Sequence, residues 1–152
     1  MLIKKFRAAF FIFLTTFIAA SALQSSSVSA TTCQTSISTI ISQVQALESS
    51  VQGNLPDALQ DTLLSPLLTI ANELNSAQRG QYEQLNAAQN SIATFRNTVT
   101  NLIGYNQGAF DYELKQWINT ANQLSTSLTN AYQTCTTVTA TAYWIAQTSK
   151  WL

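Results

Sequence analysis

Residues 76–84 read Ser76-Ala77-Gln78-Arg79-Gly80-Gln81-Tyr82-Glu83-Gln84, and the fold turns on whether the chain reverses there or runs straight through. On the N-terminal side Leu67, Ile70, Ala71 and Leu74 form an apolar stripe; on the C-terminal side Leu85, Ala88, Ile92, Phe95, Val99 and Leu102 form another. Spacing of three and four places each set on one face of a helix. Between the stripes, Gln78 and Gln81 stand at positions where a core expects apolar side chains, with Gly80 between them. A polar step with a glycine favours a reversal. The competing reading follows the heptad through Gly80 and makes residues 66–103 one long helix in a three-helix arrangement.

Outward from this point the same periodicity recurs. Ile37, Ile40, Ile41, Val44, Leu47 and Val51 predict a first helix, with Gly53 placed as its C-terminal cap. Asn54-Leu55-Pro56-Asp57 restarts the chain, Pro56 suiting a first turn and Asp57 the dipole there. A short helix to Leu64 is expected next, with Ser65-Pro66 opening another and Ser65 as its N-cap. Gly104-Tyr105-Asn106-Gln107-Gly108 reads as a loop. The last helix carries Leu114, Trp117, Ile118, Ala121, Leu124, Leu128, Ala131 and Cys135 on its core stripe. Residues 136–141 have weaker helix propensity, because threonine is stiff at its first torsion, and are expected to continue the helix toward a frayed end.

The two cysteines, Cys33 and Cys135, are expected to form one bridge. Cys135 lies about 26 residues, or ~39 Å, along the last helix. If the first helix starts at that height and descends, the next must rise, the third descend and the last rise again. The predicted fold is therefore an all-α, up-down-up-down antiparallel bundle, four helices in preference to three long ones, stapled by one disulfide.

Lys4, Lys5 and Arg7 followed by the apolar run Ala8–Ala22 form the pattern of a secretory signal peptide over residues 1–30. Val28-Ser29-Ala30 offers the small residues a signal peptidase inspects, and Ala20-Ser21-Ala22 offers a second site. The alternative, a membrane anchor, needs about 20 apolar residues, more than this run supplies. Residues 31–152 are then one domain, expected to be secreted, either extracellular or periplasmic. Loss of the leader leaves Arg79, Arg96, Lys115 and Lys150 against seven carboxylates. That balance provides no basic patch for nucleic acid or an anionic membrane.

The chain contains no histidine, and so lacks the usual general base, zinc ligand and partner of serine or cysteine nucleophiles. Asp57 with Asp61 and Asp111 with Glu113 are the close carboxylate pairs, but both sit at helix starts, where the dipole favours acids. No calcium loop or glycine-rich phosphate loop is present. The expectation is a non-enzyme without metal or cofactor.

Only 9% of the residues are charged, so Ser, Thr, Asn and Gln cover the surface and self-repulsion is weak. The leading expectation is a non-catalytic protein that binds an unknown protein partner or itself. Its candidate surface is Tyr143, Trp144 and Trp151, with Ile145 and Leu152 beside them; if the other helices stop near Cys135, this segment overhangs the bundle. Otherwise Tyr143, Trp144 and Ile145 cap the bundle end. The second expectation is a carrier of fatty acids or other small apolar molecules, with Phe95, Trp117, Leu124 and Leu128 lining a cavity between helices. The leader and the Ser/Thr/Gln-rich helices resemble small secreted helical families such as the insect TsetseEP-type proteins, for which Tyr132-x-x-Cys135 is a further likeness, and the fungal hydrophobic-surface-binding proteins. This is a likeness of style, and it transfers no residue roles.

Overall fold

A computed structural model describes residues 30–148. The signal-peptide reading of residues 1–30, Ala30 apart, and the candidates Trp151 and Leu152 lie outside the described residues. Four helices follow one another: α1 over residues 30–54, α2 Asp57–Gln78, α3 Gln84–Asn101 and α4 Asp111–Thr148, with a short 3-10 turn at Tyr105–Gly108 before α4. Among the described residues there is no strand.

The chain does reverse at Gly80. α2 closes in a Schellman arrangement: the Gly80 amide donates to the Ala77 carbonyl at 2.9 Å and the Gln81 amide to the Ser76 carbonyl at 3.2 Å. Gly80 takes φ +98, the left-handed conformation that a Cβ resists, so glycine is the residue that permits the turn. The polar step at Gln78 and Gln81 is thus the surface of a turn. Gln78 reaches across to α1, donating to Ser38 Oγ at 3.3 Å while its carbonyl accepts from Gln34.

Two local expectations are corrected. Gly53 is not a left-handed cap, since α1 continues through residue 54 and Gly53 is absent from the positive-φ glycines. Pro56 ends the run instead: it has no amide to continue the ladder. The Gln60 side chain then serves the open carbonyls, donating to Leu55 at 2.7 Å and Gln52 at 3.1 Å. Nor does Ser65-Pro66 open a new helix, because Pro66 lies inside α2 and that helix is continuous. Leu63, Leu67, Ile70, Leu74 and Ala77 are buried at helical spacing on both sides of it. Their burial at ~1.5–3 kcal/mol per large aliphatic side chain outweighs a proline cost of about 3 kcal/mol.

The core is one contiguous cluster drawn from all four helices, with Ile37, Leu67, Phe95 and Leu128 as fully buried examples. α3 packs against both α2 and α4. α1 meets α4 through the Cys33–Cys135 disulfide, whose Cα atoms stand 5.1 Å apart, and again where Trp117 Nε1 donates to Ser50 Oγ at 2.9 Å. From Cys33 to Ser50 the chain descends α1, while the matched positions from Cys135 to Trp117 descend α4 in reverse. The pair is antiparallel, as up-down-up-down connection requires.

Candidate functional site

α4 is longer than the helices α2 and α3, at 38 residues against 22 and 18. Gln89 Nε2 donates to Thr129 Oγ1 at 2.9 Å and Arg96 Nη1 to Asn122 Oδ1 at 3.3 Å, which fixes the register of α3 on α4. That register sets the start of α3 level with Cys135. Thirteen residues, about 20 Å of helix, follow Cys135 through Thr148. Leu114, Trp117, Ala121, Leu124, Leu128, Ala131 and Cys135 are buried, and no described residue of α4 beyond Cys135 is.

The two candidate aromatic residues within this end are exposed, Tyr143 by 62% and Trp144 by 69%. They do not stand alone. Together with Tyr82 and Glu83 from the reversal, and Tyr132, Thr136, Thr139 and Ala140 from α4, they line a depression of about 490 Å³ beside Gly80. Tyr82 is half-buried and packs on the core, giving the depression a fixed floor. Trp151 lies outside the described residues, and of the Ile145 side chain nothing is described.

The threonines here have their protons engaged. Thr136 donates to the Tyr132 carbonyl at 2.7 Å, Thr137 to Gln133 at 2.7 Å, Thr139 to Cys135 at 3.1 Å and Thr141 to Thr137 at 2.9 Å. A hydroxyl bonded back to its own helix has little donor capacity for a partner. Beside the hydroxyl and indole groups of its aromatic residues, the surface therefore offers aromatic faces, methyl groups and oxygen acceptors.

The second candidate set is packed into the core. Phe95 and Leu128 are 0% exposed, Leu124 1% and Trp117 3%. Trp117 and Leu124 also edge a groove between α1 and α4, beside Ser50 and Gln116. A larger groove of about 650 Å³ lies higher on the same seam, with Ile40 and Ala131 at its base and Thr35, Thr39 and Thr134 among its walls. Both are furrows between helices lined largely by hydroxyl and amide side chains.

Of the two carboxylate pairs, Asp111 and Glu113 stand in the first turn of α4 and Asp57 in that of α2, while Asp61 lies one turn further in, which corrects its expected place at a helix start. Asp111 Oδ1 accepts the Gly104 amide at 2.8 Å and so closes the turn across Asn106 and Gln107, both in left-handed conformation at φ 49 and 60. Asp57 accepts from Gln60 at 3.3 Å. Among the described residues no group of histidine, cysteine, aspartate and glutamate is placed to hold a metal ion, and no helix is long and apolar enough to cross a membrane.

Sequence reasoning reached Tyr143 and Trp144 but missed Tyr82, Glu83 and Tyr132 as their neighbours. The signal was present: once Gly80 reverses the chain at the height of the cystine, whatever follows Gly80 faces the turns of α4 around Cys135. Comparison with protein-family models, curated proteins and solved structures finds no match.

Proposed function

We propose that this chain is a secreted, non-catalytic binding protein, in which a disulfide-stapled bundle presents the end of α4 to a macromolecular partner or to a second copy of itself. The observation that carries this reading is the exposure of Tyr143 and Trp144 past the cystine, on a helix whose earlier turns bury a residue at every third or fourth position from Leu114 to Cys135. Large aromatic side chains exposed side by side are rare on surfaces without partners and common at the centres of interfaces. The basic and apolar leader, the missing histidine and the weakly charged surface support the same assignment. Carriage of an apolar molecule in the interior would need space where Phe95 and Leu128 are fully enclosed, and this disfavours it.

The test is light scattering on residues 31–152, with capture from the native extracellular fluid, for the parent chain and for the Tyr143→Ala/Trp144→Ala variant. The parent is expected to associate with itself or retain a partner, and the variant to lose that while remaining folded. A strict monomer that retains nothing overturns the proposal.

A further inference from the structure

We infer that the depression at the cystine end of the bundle binds an organic ammonium group, of the quaternary kind carried by choline. This deepens the reading just given and rests on it, because the surface is the same. Four aromatic side chains, Tyr82, Tyr132, Tyr143 and Trp144, line one depression together with the carboxylate of Glu83. The face of an aromatic ring is the negative end of its quadrupole and attracts a cation placed over it, tryptophan most strongly. A quaternary ammonium suits such a surface better than a primary one: its methyl groups make apolar contact, and it loses little hydration on leaving water.

The charge around the depression is complementary. Among the described residues Glu83 is the one carboxylate in the lining, and no described lysine or arginine is part of it. The nearest cation in sequence, Arg79, is turned away, its Nη2 donating to Ser76 Oγ at 3.1 Å. Thr136 and Thr139 give their protons to carbonyls of their own helix, so the side-chain donors of the lining are those carried by the aromatic residues, the tyrosine hydroxyls and the Trp144 indole N–H. An anion finds no opposite charge among the described lining residues, whereas a cation finds ring faces, a carboxylate and hydroxyl oxygens. At about 490 Å³ the depression has room for a trimethylammonium group. Tyr82, anchored on the core at the Gly80 turn, ties one wall to the rigid bundle, while Tyr143 and Trp144 form the other.

The test is an NMR titration of the mature chain with choline and with 3,3-dimethylbutan-1-ol, its uncharged isostere. Choline is expected to move the Trp144 indole N–H resonance saturably with millimolar affinity, leaving that of buried Trp117 in place, and the isostere to bind about tenfold more weakly or not at all. Glu83→Gln is expected to weaken choline about threefold, and Trp144→Ala more. Cosedimentation with phosphatidylcholine vesicles then separates the two sources of the group: retention identifies a lipid headgroup, and choline binding without retention identifies a free ammonium compound. Equal binding of the isostere, or no saturable choline shift, overturns the inference. If choline fails but Trp144→Ala still abolishes association in light scattering, the ammonium inference falls and the binding surface stands. If choline binds a strict monomer that retains no partner, the inference stands and the macromolecular reading falls.

Discussion

Residues 111–135 and 136–148 are parts of one unbroken helix, rich in the same threonine, alanine and asparagine-type side chains, yet they are held by different forces. The first part inserts a residue into the common core at nearly every turn, from Leu114 to Cys135. The second buries none of its described side chains and is supported by its own backbone ladder, with hydroxyls bonded to the preceding turn. An isolated helix of this length is marginal in water, so its order is inherited from the packed turns that precede it. Helix alone does not define the folded unit; burial does, and here its boundary falls at the disulfide.

Substitutions on the two sides of that boundary should differ by several kcal/mol. Phe95→Ala removes the largest fully buried side chain and should cost about 3–5 kcal/mol in urea unfolding. Replacing Cys33 and Cys135 together by serine releases a loop spanning 102 residues and should cost about 2–5 kcal/mol, seen as the same shift when the parent is unfolded under reductant. Pro66→Ala should stabilise, by about 1–2 kcal/mol: it restores an amide inside α2, and the gain is partly offset by a freer unfolded chain. Trp144→Ala, across the boundary, should change stability by less than about 0.5 kcal/mol despite removing an equally large aromatic group. If Trp144→Ala cost as much as Phe95→Ala, the distinction between the two parts of α4 would collapse.

The bundle was legible because its signals are repeated. Four apolar stripes, a glycine flanked by misplaced glutamines and two cysteines at matching heights all require one antiparallel topology, and each helix states its own face. Boundaries that rest on one residue were read less well. Pro66 looks like a helix start in isolation, but the stripe from Leu63 to Ala77 passes through it, and long-range burial overrode the local rule. Gly53 looks like a cap, but α1 runs through it to residue 54 and ends ahead of Pro56. For the site, sequence spacing on α4 pointed to Tyr143 and Trp144, because they lie past the cystine on a helix already counted in turns. Tyr82 and Glu83 were legible only in their height beside α4, set by Gly80 and the cystine: they belong to a turn, where side-chain direction follows backbone conformation and has no period to read.

Amide hydrogen exchange resolved along α4 is the most direct measurement of the central claim, that the folded unit ends at Cys135 and the binding surface begins there. Protection near the global unfolding free energy is expected from Leu114 to Ala131, falling steeply through the turn after Cys135 to weak protection at Tyr143 and Trp144. Uniform high protection through Trp144 in a dilute monomer would contradict the account, since it would mean that the end of α4 is packed as firmly as the core.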